Sequence, residues 1–294
     1  MNNRIRISFP VFAVVVVGLF SGCTSRVVVP PLTSSPTNVE HVGKFVWYDL
    51  LTDDVDAARA FYGEMFGWEF DDYGKDNHIY TIILQNGVPI GGIVASDQLK
   101  QDVEQSRWLS YLSVENVDAA VAKTVVAGGK SFANGTDFPE RGRVGIVKDP
   151  QGALIAYVRS DSGDPDDAEP KPSQFFWTEL WTSDLNAAEA FYTDLVSYER
   201  DAGADNAVDG SVYRVLKIGD RRRAGMLQIP FDGVLPNWLP YIMTPDPTAA
   251  AKRAESLGGR ILLAPEGTLH SGSAIIADPT GGVFGIQRWP VQNN

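Results

Sequence analysis

The sequence states its main pattern twice. Trp47 is answered by Trp177 (177 − 47 = 130), Phe61-Tyr62 by Phe191-Tyr192 (191 − 61 = 130) and Trp108-Leu109 by Trp238-Leu239 (238 − 108 = 130). Gly128-Gly129 returns as Gly258-Gly259, and Asp149-Pro150 as Asp278-Pro279, one residue early. A period this long is that of a duplicated domain, because solenoid repeats run to roughly 20–50 residues. Two units also suit a chain of 294 residues at the usual ~100–200 residues per domain. The duplication lets each position be checked against its twin.

The N-terminus stands apart from the repeat. Arg4 and Arg6 precede an apolar run from Phe9 to Phe20, and Ser21-Gly22 stand before Cys23. This is the layout of a secretory signal peptide, and the run is shorter than the ~20 residues of a membrane span. Leu19 to Cys23 resembles a bacterial lipobox cleaved before Cys23, with Phe20 where that motif usually has Leu. Cys23 is the only cysteine, so no intrachain disulfide can form, and acylation explains an unpaired thiol in an exported protein. The expected organisation is a signal peptide (1–22), a lipid-anchored tether (23–42), a first domain (43–161), an acidic Pro-rich linker (162–173) and a second domain (174–291). The tether and linker, rich in Pro, Ser, Thr or Asp, read as extended and solvated. The expected location is the cell envelope, with the protein anchored to the membrane through Cys23. Thr24 after the cysteine points to the outer membrane if the host is Gram-negative.

A formal charge of −12 argues against a nucleic-acid surface, which needs clustered Lys and Arg. The one basic cluster, Arg221-Arg222-Arg223, reads as a solvated hairpin turn.

Within each half, hydrophobic spacing gives β, α, β, β, β and then the same again. Phe45 to Leu51 alternates, with Phe45, Trp47, Asp49 and Leu51 on one face and Val46, Tyr48 and Leu50 on the other. Asp53 or Asp54 then caps a helix whose apolar positions Ala57, Ala58, Phe61, Tyr62, Met65 and Phe66 follow helical spacing, and Gly67 ends it. Further helices fall at Asp118 to Val126, Leu185 to Leu195 and Pro247 to Leu257. The fold class is therefore α+β, two tandem domains each built from two βαβββ modules.

Those modules, with Phe61-Tyr62 followed by Gly67-Trp68 and a last hairpin Asp-Pro-x-Gly at Asp149–Gly152 and Asp278–Gly281, resemble the vicinal oxygen chelate superfamily. It includes glyoxalase I, the bleomycin- and fosfomycin-resistance proteins and extradiol dioxygenases. The likeness covers about residues 43–159 and 174–290, and the tandem form resembles secreted glyoxalase-like antigens of actinobacteria. The resemblance implies a cup-shaped mixed sheet and, in metal-binding members, a divalent ion held by His or Glu on the first, fourth, fifth and eighth strands. Imidazole and carboxylate suit such ions. Here the first-strand position falls on Trp47 and Trp177, the fifth on Leu109 and Leu239, and the eighth on Ala156 and Gly285. Gly91 to Ala95 and Ala224 to Ile229, around the fourth, contain no His, Asp or Glu. No metal or cofactor is therefore expected. His41 lies in the tether, and His270 and His78 read as loop histidines.

If the alternation holds, the first cup is lined by Trp47, Asp49 and Tyr111, and the second by Trp177, Glu179, Trp181 and Tyr241. Each pairs an acid with aromatic faces and a phenol, the composition of a small-molecule pocket. Three readings stay open. The cups bind a small organic ligand by stacking and charge; or Asp49 or Glu179 serves as a general base or metal ligand in glyoxalase-type lyase or isomerase chemistry; or the aromatics are core filler and the acids accept internal hydrogen bonds. The leading expectation is a metal-independent, membrane-anchored binding protein. Whether it forms a homodimer is left open.

Overall fold

In the computed structural model, residues 29–75, 78–96, 106–208, 211–265 and 272–289 are described. The expected signal peptide, Cys23 and His270 lie outside them. The first half runs β1 (Phe45–Thr52), α1 (Val55–Phe66), β2 (Glu69–Lys75), β3 (His78–Gln85), β4 (Val88–Ala95), β5 (Arg107–Ser113), α2 (Val117–Val126), β6 (Lys130–Phe138), β7 (Gly142–Lys148) and β8 (Leu154–Ser160). The second runs β9 (Phe175–Thr182), α3 (Leu185–Val196), β10 (Glu199–Arg200), β11 (Asn206–Val208), β12 (Ser211–Ile218), β13 (Arg221–Gln228), β14 (Asn237–Met243), α4 (Pro247–Ser256), β15 (Arg260–Leu263), β16 (Ser273–Ala277) and β17 (Val283–Gln287).

Each half forms one mixed sheet, in the orders β2-β3-β4-β1-β5-β8-β7-β6 and β10-β12-β13-β9-β14-β17-β16-β15, with β11 paired to β12. The two modules of the first half meet at the antiparallel β1–β5 pair, and β1–β4 and β5–β8 are parallel. The second half repeats this with β9–β14, β13–β9 and β14–β17. The helices start where the sequence places caps. Asp54, Asn116, Asp184 and Asp246 each accept a backbone N–H two or three residues on, satisfying a donor that the first helical turn leaves unpaired.

Strand alternation divides the apolar residues into three clusters. One carries Tyr48, Leu50, Trp108 and Leu112 of the first sheet, Leu180, Trp238 and Ile242 of the second, and buried faces of all four helices. The two halves therefore share a single core. The other two clusters line the opposite faces of the sheets, one per cup. Phe45 departs from the expected alternation: a register shift between Phe45 and Trp47 turns it toward the shared core, where its ring lies 4.7 Å from that of Trp238.

The repeat motifs explain how the halves join. Asp149 accepts from the backbone N–H of Gln151 and Ala153, closing the last hairpin, and its other oxygen accepts from Tyr192 Oη at 3.0 Å. Asp278 does the same with Thr280 and Gly282, and accepts from Tyr62 Oη at 2.8 Å. Each tyrosine in turn accepts from an indole, Trp108 to Tyr62 at 3.0 Å and Trp238 to Tyr192 at 2.7 Å. The Phe-Tyr motif of one half thus grips the Asp-Pro-x-Gly hairpin of the other, reciprocally. Tyr48 Oη meets Thr178 Oγ1 at 2.8 Å, and these are equivalent positions (178 − 48 = 130), so the contact marks a local two-fold relation.

Two expectations about the connecting segments are corrected. Residues 29–42 are not a free tether, although residues 34–36 and 38–40 stay exposed: Leu32 is 1% exposed within the cluster of the first cup. Residues 37–41 lie along residues 162–164, with Asp164 accepting from the His41 backbone and from Ser113 Oγ. The linker is also anchored. Asp164 is fully buried, and Asp167 pairs with Lys44 and Arg223 at 3.1 and 2.7 Å. Arg223 is correspondingly not solvated, unlike Arg222 and Arg221 beside it. Composition signalled solvation, but Asp164 found backbone and hydroxyl donors and Asp167 found opposite charges to pack against.

Candidate functional site

The first cup is built on the register of β1. Asp49 lies opposite Gly92 of β4 and Leu109 of β5, Trp47 lies opposite Tyr111, and Tyr111 lies opposite Ala156 of β8. A side chain on β3 completes it. Tyr80 reaches over Gly92, where an added Cβ would come within 2.0 Å of its hydroxyl oxygen. Asp49 Oδ1 accepts from Trp47 Nε1 at 2.9 Å and Tyr80 Oη at 2.5 Å, and Oδ2 accepts from Tyr111 Oη at 2.6 Å. Burial, reinforced by the Asp49 charge, pushes both phenols well above the ordinary tyrosine range, so they stay protonated and donate. Arg141, from the turn between β6 and β7, lies with its guanidinium carbon 4.3 Å from the centre of the Trp47 ring. At 2% exposure it is a buried cation facing a buried acid across aromatic rings.

The second cup follows the same plan. Glu179 lies opposite Gly225 and Leu239, Trp177 opposite Tyr241, and Tyr241 opposite Gly285. Glu179 Oε1 accepts from Trp181 Nε1 at 2.7 Å and Tyr241 Oη at 3.2 Å. Tyr213 of β12 takes the place of Tyr80. Its hydroxyl accepts from Trp177 Nε1 at 2.8 Å, and it covers Gly225, where a Cβ would fall 1.9 Å from that oxygen. Burial and the Glu179 charge push Tyr213 and Tyr241 well above the usual phenol range. Gly285 is required by Tyr241, whose ring a Cβ there would meet at 2.4 Å.

The cups differ in access. In the first, Trp47, Tyr80, Asp49 and Arg141 are all nearly solvent-free. In the second, Glu179 is buried but Trp177, Tyr213 and Phe231 are only partly buried, and Phe231 stacks obliquely at 6.2 Å on Trp181. The structure thus brings Trp47, Asp49 and Tyr111 together, and likewise Trp177, Glu179, Trp181 and Tyr241. Sequence reasoning missed Tyr80, Tyr213 and Arg141. The first two were detectable, since each stands twelve residues before a glycine of the neighbouring strand (92 − 80 = 12; 225 − 213 = 12).

Comparison with known proteins places this geometry. The chain is 30% identical over 245 residues to the protein named "Putative glyoxylase CFP32" of Mycobacterium tuberculosis, covering 82% of this chain and 93% of that one. The chain belongs to the vicinal oxygen chelate superfamily. The family described as bleomycin resistance protein-like N-terminal matches residues 44–75. The anthracycline biosynthesis protein DnrV of Streptomyces peucetius is 28% identical over 260 residues, covering 83% of this chain and 92% of its own. The fold matches a Mn(II)-bound glyoxalase from Novosphingobium aromaticivorans at a TM-score of 0.58 and 17% identity, over 86% of this chain and 84% of that one. It also matches the 2,3-dioxygenase LapB from Pseudomonas sp. KL28 at a TM-score of 0.54 and 13% identity, over 87% and 96%.

The superfamily implies a divalent ion, and the residues present do not fit one. The identifiable strand positions carry indole, leucine and small residues, and each cup has a single carboxylate, Asp49 or Glu179, two residues along its first strand. Its oxygens accept from indole and phenol donors, which would point protons at an ion. The first cup also holds the Arg141 cation. Among the described residues no group of three His, Cys, Asp or Glu side chains converges.

Proposed function

We propose that the protein is a metal-independent binding protein, tethered to the cell envelope through Cys23, whose second cup holds a flat organic ligand, preferably a cationic one. The partly buried Trp177 and Tyr213 beside the buried Glu179 carry this reading. Together they offer two partly exposed aromatic faces beside a buried source of negative potential, in the less closed of the two cups. Stacking contributes about 0.5–1.5 kcal/mol per aromatic pair beyond burial, and a cation over an aromatic face about 0.5–2 kcal/mol. The general-base alternative has less support at Asp49, because both carboxylate oxygens already accept hydrogen bonds.

An anthracycline is a suitable probe, being a flat fused-ring system with a protonated amino sugar, and a relative is named for anthracycline biosynthesis. Calorimetric titration of the tag-free, chelator-treated protein with daunorubicin should show binding, weakened about tenfold or more by Trp177→Ala. That factor corresponds to about 1.4 kcal/mol. Unchanged affinity in Trp177→Ala would contradict the assignment of the site. For the anchor, Cys23→Ser should move the protein from the membrane fraction to the soluble one.

A further inference from the structure

The first cup is closed by the chain's own N-terminal segment, and the way it is closed describes a ligand. Pro30 and Leu32 are buried, with Leu32 among the residues that line the cup, including Trp47 and Tyr111. The Pro30 carbonyl accepts from Arg141 Nε at 2.6 Å. Arg141 Nη2, on the same edge of the guanidinium, is buried with no partner. That edge presents two parallel N–H groups, matched to the two oxygens of a carboxylate. The neighbouring Arg143 shows the edge filled, with Nε and Nη2 each 2.9 Å from one oxygen of Asp118. At Arg141 a single carbonyl oxygen covers half of it.

Arg141 is also fixed for recognition. Gly142, at φ +100° in the left-handed region, turns the backbone where a Cβ would strike the Arg159 carbonyl at 2.2 Å. The guanidinium then lies over Trp47 and beside Tyr80. Asp49 does not compete for its open edge, because the acid is already satisfied by Trp47, Tyr80 and Tyr111.

We propose that the first cup is a second binding site, for a small monocarboxylate with a branched aliphatic tail, and that residues 29–32 occupy it as a displaceable plug. The carboxylate takes both Nε and Nη2 of Arg141 and the tail takes the place of Leu32. This site is separate from the aromatic second cup, so either can fail alone.

The test uses 4-methylpentanoate as probe and its amide, 4-methylpentanamide, as control, in calorimetric titrations of the full chain. The acid should bind the wild type weakly and Leu32→Ala at least tenfold more tightly, because the plug then competes less. Arg141→Lys should lose binding, the amide should not bind, and Trp177→Ala should leave affinity unchanged. Equal affinity for acid and amide, or full binding by Arg141→Lys, would overturn the proposal. If either variant fails to fold, hydrogen exchange of the wild type decides the matter: saturating acid should speed exchange in residues 32–35, and unchanged exchange there would overturn it.

Discussion

Asp49→Asn probes the first cup directly, since it changes charge and donor pattern with almost no change in shape. Asp49 accepts from three buried donors, two on Oδ1 and one on Oδ2. Asparagine can keep the first two, but as neutral rather than charge-assisted bonds, a loss of roughly 1 kcal/mol each. The Tyr111 hydroxyl must reverse and accept from the new amide. Arg141 loses the charge it faces across Trp47 and Tyr80, which adds to the cost. The sum is about 2–4 kcal/mol, or roughly 5–15 °C in Tm at ~2–4 °C per kcal/mol for a unit of this size. Urea unfolding followed by tryptophan fluorescence measures it, with the slope checked for a single transition. A variant as stable as wild type, or more so, would refute Asp49 as a charged acceptor and favour filler that merely tolerates an acid.

Gly92→Ala should displace Tyr80 and cost about 1–3 kcal/mol by overpacking, while Tyr80→Ala should relieve the clash in the double variant; additive losses would contradict the contact. Tyr192→Phe leaves Trp238 Nε1 without its acceptor and removes a donor to Asp149, so about 1–3 kcal/mol should be lost. Limited proteolysis should then release the two halves more readily, and an unchanged digest would count against the Tyr–Asp grip. Lys44 and Arg223 hold the Asp167 carboxyl well below the usual carboxylate range, against an opposing effect of burial. A lowered folded value contributes stability that is present above the unfolded value of about 3.9 and lost as pH falls toward the folded one. Asp167→Asn should therefore be less stable than wild type at pH 7, with the gap narrowing below about pH 4; a gap constant with pH would refute the ion pair's role.

The sequence showed the architecture well because its signals are local or duplicated. Helix α3 was expected at Leu185 to Leu195 and runs Leu185–Val196, and α4 was expected at Pro247 to Leu257 and runs Pro247–Ser256. Alternation along β1 and β9 placed Trp47, Asp49, Trp177, Glu179 and Trp181 toward the cups. What was not legible depends on contacts across the chain. Tyr80 enters the site because Gly92 leaves room one strand away, and its one trace in the sequence is the spacing to a glycine that recurs at Tyr213 and Gly225. Arg141 reads as an ordinary turn residue until the fold brings Pro30 to it, 111 positions earlier. Leu32 sits among prolines and serines, where composition suggests solvation; the segment is seated instead by buried Pro30 and Leu32, the Pro30 carbonyl at Arg141 and the pairing of residues 37–41 with residues 162–164. The function of the Phe-Tyr and Asp-Pro-x-Gly motifs was hidden for the same reason, since each completes its hydrogen bonds with the opposite half.

Each cup has one acid, two tyrosines and one or two indoles in place of a ring of metal ligands, and this is most directly tested by metal content. Tag-free protein dialysed against Zn²⁺, Mn²⁺ and Ni²⁺ and then against buffer should retain well under one ion per chain by elemental analysis, with Asp49→Asn and Glu179→Gln indistinguishable from wild type. One or two tightly held ions per chain, lost in either variant, would contradict it.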